Sequence, residues 1–215
     1  MNWSVGFVGS GKRRLTLMSC RVVVLASGTG SLFNALVGAQ GADFVVVALV
    51  TDQPKAGALT HATRAGIDSR VVSPTDFADR SEWDQALTAA ISEFKPTLVV
   101  SAGFMRILGE DTLHAFPDRI INTHPALLPA FPGAHAVRDA LAAGVQETGC
   151  TVHVVDAGVD TGPIIAQVQV PVLAGDDEAT LHERIKTAER ELVVDVVRRI
   201  AQHGLTVHDR KVTLA

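Results

Sequence analysis

Residues 21–36, RVVVLASGTGSLFNAL, join three kinds of sequence: a β-branched apolar run, a turn rich in glycine and hydroxyls, and a segment with helical spacing. The run is continuously apolar rather than alternating, the mark of a strand buried on both faces. A turn that opens a helix offers free backbone N–H groups and the positive end of the helix dipole to an anion. The dinucleotide-binding fingerprint is not completed. Phe33 stands where the third glycine belongs, and no acid is expected about twenty residues on, at the end of the second strand. The SGTGS turn, Ser27, Gly28, Thr29, Gly30 and Ser31, therefore suits a lone phosphate monoester. A tight strand-to-helix turn with no ligand would use the same residues.

Similar apolar runs recur at 44–50 (FVVVALV), 69–73 (SRVVS) and 97–102 (TLVVSA). Helical patterns separate them at 31–40, 57–66 and 81–94, the last with Trp83, Leu87, Ala90, Ile91 and Phe94 on one face. Strand and helix alternate three times, which predicts a parallel, doubly wound sheet with right-handed crossovers. RIIN (119–122) reads as a further strand, followed by a short helix around 134–143. CTVHVVD (150–156) and PIIAQVQVPV (163–172), joined by a glycine-rich loop, read as an antiparallel pair added to the sheet. A long helix from about 176 to 203 and a short tail end the chain. The expected fold class is α/β, a mostly parallel, Rossmann-like sheet with antiparallel strands in the C-terminal half and a long C-terminal helix.

With 215 residues, 47% hydrophobic and 20% charged, the chain can bury a full core. Its apolar runs are too short for a transmembrane helix, so no membrane partner is expected. A net charge of -4 argues against coating nucleic acid. Cys20 and Cys150 stand far apart without metal-ligand spacing, which fits a reducing, cytoplasmic setting. The first seventeen residues carry Lys12, Arg13 and Arg14 and no acid. GFVGSGKR resembles a phosphate-binding P-loop, but Arg13 replaces the Ser/Thr that would hold magnesium. Twin-arginine and lipoprotein signals are rejected because Arg21 interrupts the apolar stretch. Residues 1–17 are expected to be a disordered arm or a non-native start, with one domain spanning 18–215.

Residues 122–133, NTHPALLPAFPG, concentrate three prolines and a glycine behind an asparagine and a histidine. If RIIN is a parallel strand, its C-terminal end lies on the sheet edge that carries SGTGS, where open α/β sheets bind ligands. Asn122 and His124 are two apart, so an extended backbone points both to one side. Pro125 holds His124 extended, and Pro129, Pro132 and Gly133 restrict the loop beyond. An imidazole beside an amide suits a developing oxyanion. A turn-capping asparagine and a core histidine explain the same pair without chemistry. The other histidines, His61, His114, His135, His153, His182, His203 and His208, lack metal-ligand spacing and read mostly as surface or packing residues.

The loop 155–163, VDAGVDTGP, carries Asp156 and Asp160. A carboxylate beside an imidazole favours its charged form, making a better proton donor. Asp160 is the preferred partner for His124, and Asp156 reads as an ordinary Asx-turn. On the last helix Glu189 falls on the apolar stripe of Leu181, Ile185, Leu192 and Val196. An inward carboxylate needs a partner, whether a ligand or a salt bridge.

SGTGS, AGFMRIL (102–108), NTHPALLPAFPG and HVVDAGVDTGPII (153–165), in this order and spacing, resemble the folate-dependent phosphoribosylglycinamide formyltransferase family over about residues 20–205. The resemblance implies transfer of formyl from 10-formyltetrahydrofolate, a cosubstrate, to the amine of 5-phosphoribosylglycinamide in purine biosynthesis. It implies no metal, and a monomer or homodimer. By the same carry-over Asn122, His124 and Asp160 are catalytic, and Ser27, Gly28, Thr29, Gly30, Ser31 and Leu32 hold the substrate phosphate. Glu189 binds the glycinamide substrate. Arg80, Met105, Arg106, Ile107, Leu108, Val155, Asp156, Ala157, Gly158 and Val159 line the folate site. Relatives often carry asparagine at the position of Leu32, so one side-chain contact to phosphate is absent or supplied elsewhere. A 10-formyltetrahydrofolate hydrolase of the same superfamily and a non-catalytic nucleotide-binding regulator are the competing readings.

Overall fold

The structure, a computed structural model, describes residues 19–214. The expectations about the N-terminal arm lie outside the described residues. The first half of the fold runs β1 (Cys20–Leu25), α1 (Ser31–Ala39), β2 (Phe44–Thr51), α2 (Gly57–Ala65), β3 (Asp68–Val71), α3 (Arg80–Ser92) and β4 (Leu98–Ser101). It continues with α4 (Glu110–Ala115), β5 (Ile120–His124), α5 (Ala136–Ala142), β6 (Glu147–Val154), β7 (Ile164–Pro171) and α6 (Glu178–His203). A hairpin of β8 (Thr206–His208) and β9 (Lys211–Thr213) closes the described chain. No helix among the described residues is long and apolar enough to cross a membrane.

Seven strands form one sheet in the order β3-β2-β1-β4-β5-β6-β7. The pairs β1–β2, β2–β3, β1–β4 and β4–β5 are parallel, and β5–β6 and β6–β7 are antiparallel. The expected fold class is therefore the observed one. Side chains of β1 alternate between two cores. Val22 and Val24 pack with Phe33, Leu36, Ile185 and Val196 under α1 and α6; Val23 and Leu25 pack with Trp83, Leu87 and Ile91 under α3. Burial on both faces is what makes the strand sequences continuously apolar.

Strand order reverses between β1 and β4, and at such a switch point the loops leaving the two strands diverge and open a crevice. The SGTGS turn and the 102–108 segment are those two loops. Gly30 has φ 81, and a Cβ there would sit 2.6 Å from the Ala58 Cα, so only glycine lets the turn pack against α2.

Three features differ from the sequence reading. The segment between β4 and β5 contains α4, and the tail forms the β8–β9 hairpin, neither of which was expected. An acid does stand at the end of β2: Asp52 directly follows Thr51 and is 1% exposed. Its oxygens are taken by Ser27, Gln53 and Arg106, so it is bonded within the protein rather than presented to a ribose.

Candidate active site

β5 ends in Asn122, Thr123 and His124, with His124 only 4% exposed. The ring of His124 is held at both nitrogens. Nδ1 lies 3.3 Å from Asp160 Oδ2, and Nε2 donates to the Phe131 carbonyl at 2.8 Å. Asn122 Nδ2 approaches Asp160 Oδ1 at 3.5 Å, a long contact, and His153 Nε2 at 3.2 Å. The carboxamide, imidazole and carboxylate named from the sequence thus converge, although β5 and the β6–β7 loop supply them separately.

The stiffness of NTHPALLPAFPG has a specific use here. The loop turns back so that the Phe131 carbonyl meets the imidazole and the Gly133 N–H donates to Asp160 Oδ2 at 2.8 Å. Phe131 (φ 54) and Gly133 (φ 91) both adopt left-handed backbone, and the Leu128–Pro129 peptide is cis. Asp160 is itself left-handed (φ 53), a conformation aspartate tolerates better than most residues. Burial pushes the Asp160 carboxyl up, but the His153 hydrogen bond, the Gly133 N–H and the two imidazoles prevail and hold it below its ordinary value.

His153 is the residue that the sequence reading passed over. It pairs directly with Asn122 across the antiparallel β5–β6 ladder and is 2% exposed. Its Nδ1 donates to the Val154 carbonyl at 2.9 Å, which leaves Nε2 facing the Asn122 amide. His153 Nε2 also lies 3.5 Å from Asp160 Oδ1. Only the β5–β6 register reveals this role, and a register is not legible in either strand alone.

These groups line a cavity of about 390 Å³. Met105, Arg106, Ile107 and Leu108 from the loop after β4 line it, with Val155, Asp156, Gly158 and Val159 from the loop after β6. Met105 (72% exposed), Ile107 (56%) and Val159 (48%) are large apolar side chains left open to solvent, an apolar surface of the kind that ligand pockets present. Ala157 does not line this cavity. Arg80 does not either: it donates to the Ile107 carbonyl at 2.5 Å and borders an adjoining hollow of about 280 Å³ with Trp83 and Arg106. Asp156 behaves as the expected Asx-turn, accepting from Gly158 N at 3.1 Å and Thr161 Oγ1 at 2.6 Å.

Around the first turn, Gly28 and Thr29 are exposed, and α1 starts with no side-chain cap and no acid in its first turn. Its leading N–H groups have the character of an anion site. The Leu32 side chain is buried in the core and has only backbone to present. Ser27 is engaged internally: its N–H goes to the Gly103 carbonyl and its hydroxyl donates to Asp52. Glu189, 5% exposed, lies beside the Thr123 hydroxyl and does not line the cavity. Burial pushes its carboxyl up to about 7, against the lowering effect of Thr123 and of Lys186 and Arg190.

An open α/β sheet with acid–base groups at the end of β5, beside a partly apolar cavity lined by the loops after β4 and β6, has the arrangement of an enzyme active site. A family profile described as "Formyl transferase" matches residues 20–197. The chain is 56% identical to phosphoribosylglycinamide formyltransferase of Mycobacterium tuberculosis over 90% of its own length and 91% of that protein. It is 40% identical to a segment of the Homo sapiens trifunctional purine biosynthetic protein adenosine-3, covering 84% of this chain and 18% of that one. The crystal structure of glycinamide ribonucleotide transformylase 1 from Symbiobacterium toebii superposes with a TM-score of 0.86 at 40% identity, covering 90% of this chain and 93% of that one. The chain belongs to the formyl transferase family.

Proposed function

We propose that this chain transfers the formyl group of 10-formyltetrahydrofolate to the amine of 5-phosphoribosylglycinamide, giving formylglycinamide ribonucleotide and tetrahydrofolate. The observation that carries the reading is the meeting of Asn122, His124 and Asp160 beside one cavity. Identity to enzymes named for this reaction supports it. Attack of the amine on the formyl carbon makes the formyl oxygen anionic, and the folate nitrogen needs a proton to leave. The Asn122 N–H and the His124 ring are the donors for that oxygen, with Asp160 stabilising the imidazolium. The Nε2–H of His124, now given to the Phe131 carbonyl, is the donor that must turn toward the oxyanion. The attacking nitrogen, an ammonium in the tetrahedral intermediate, gives its proton to the carboxylate–imidazole pair, directly or through water, and the folate nitrogen receives a proton from that pair as its bond to the formyl carbon breaks.

The folate sits against Met105, Ile107, Leu108 and the 155–160 loop, and the substrate phosphate sits on the backbone of residues 28–32. Glu189 takes the glycinamide part of the substrate. Residues 18–215 act as a single formyltransferase domain in the cytoplasm. The test is to incubate purified protein with both substrates and follow folate absorbance and product mass. Formylated glycinamide ribonucleotide is expected. Formate release with water as acceptor would make it a hydrolase, and absence of turnover would leave a binding protein.

A further inference from the structure

Asp52 follows the last residue of β2, at the sheet edge shared by both loops of the switch point. Its carboxylate is fully enclosed: the side chain has no exposed surface. Oδ1 accepts from Ser27 Oγ at 2.6 Å; Oδ2 accepts from Gln53 Nε2 at 2.9 Å and Arg106 Nε at 2.8 Å. Ser27 completes the link by accepting from Met105 N at 2.8 Å and donating its own N–H to the Gly103 carbonyl at 3.1 Å. One buried charge therefore ties the turn that opens α1 to the loop carrying Met105, Arg106 and Ile107.

We infer that Asp52 is a positioning residue that couples the two substrate sites, setting the phosphate turn through Ser27 and the folate-lining loop through Arg106. This inference rests on the function proposed above. A buried carboxylate that loses one donor is left undersatisfied, so the remaining partners shift to compensate. Either loop, once ordered by its ligand, thereby favours the bonded arrangement of the other, and such coupling is reciprocal. Asp52 touches none of Asn122, His124 or Asp160, so the chemistry itself is unaffected. Burial raises the Asp52 carboxyl, but the bonds from Ser27, Arg106 and Gln53 outweigh it and keep it below its ordinary value, consistent with a permanently charged hub.

The test uses the full chain carrying Asp52→Asn, in which one acceptor oxygen becomes a donor. Both KM values are expected to rise roughly tenfold while kcat stays within about threefold, the pattern of lost uniform binding. Movement of one KM alone, or a fall in kcat with both KM values unchanged, overturns the inference. Should Asp52→Asn fail to fold, Arg106→Met removes one arm at a side chain 42% exposed. Calorimetry is then expected to show several-fold weaker binding of phosphoribosylglycinamide, although Arg106 is not on the phosphate turn; unchanged affinity overturns the coupling. If the wild-type protein transfers no formyl group, the functional reading fails separately. The inorganic phosphate affinity of Arg106→Met then decides: weakening supports the coupling, and unchanged affinity overturns it.

Discussion

His124 is enclosed between an aspartate and a backbone carbonyl, an arrangement that orders the ring at both nitrogens. His124→Ala is expected to lower kcat by roughly 10² to 10⁴, the usual worth of a positioned acid–base group, with KM values little changed. Steady-state kinetics at saturating folate checks this, and near-normal turnover would remove His124 from the mechanism. Glu189 yields a second prediction, in pH dependence. Its folded-state value of about 7 lies above the 4.5 of an ordinary glutamate, so between these values the folded protein keeps a proton that the unfolded chain releases. The stability contributed by Glu189 is therefore fully present below about pH 4.5 and is lost as pH climbs toward about 7. Glu189→Gln should flatten that fall, and the stability difference between the two proteins should change by ~2–3 kcal/mol between pH 5 and 8. Urea unfolding across that range measures it; parallel curves would contradict the assignment.

The short helix α4 shows how an element can depend on a residue far away in sequence. At six residues it is too short to form by itself. Its first turn is capped by Asp84 on α3, which accepts from Gly109 N (3.0 Å), Asp111 N (2.9 Å), Thr112 N (3.3 Å) and Thr112 Oγ1 (2.7 Å). Gly109 is needed beside it, because a Cβ there would lie 2.4 Å from the carboxylate. Asp84→Ala strips these buried donors at one stroke and should destabilise the protein by ~2–4 kcal/mol, seen as a lower urea midpoint with an unchanged slope. A loss below about 1 kcal/mol would mean that water caps α4 equally well. This helix was invisible in the sequence for the same reason: a local reading of EDTLHA has no access to a cap twenty-odd residues upstream. Helix α6, by contrast, was legible in detail. Its apolar stripe is long, and Glu189 interrupts it where the structure buries a carboxylate.

Across the complete fold, the catalytic loop is steadied by a piece of chain outside the family profile. Arg210, in the turn of the β8–β9 hairpin, donates to the Thr161 carbonyl and lies 3.3 Å from Asp156 Oδ2. The pair is open to solvent, so its contribution to global stability is small. Its effect belongs to the loop. Arg210→Ala should speed hydrogen exchange of amides 158–161 several-fold while changing unfolding free energy by less than about 1 kcal/mol. Equal exchange in both proteins would show that the hairpin merely rests against the loop.

Much of the architecture could be read from the chain alone, because burial on both faces forces continuous apolar strands and burial on one face forces helical periodicity. Asn122 and His124 were legible too, since a two-residue spacing on an extended backbone, stiffened by Pro125, sends both side chains one way. Asp160 could be named as a partner but its approach could not be measured. The places of His153, Asp52 and Asp84 were decided only by tertiary structure. Each acts through a neighbour brought up by strand register or sheet order, and those depend on the joint packing of all seven strands rather than on any local run of residues.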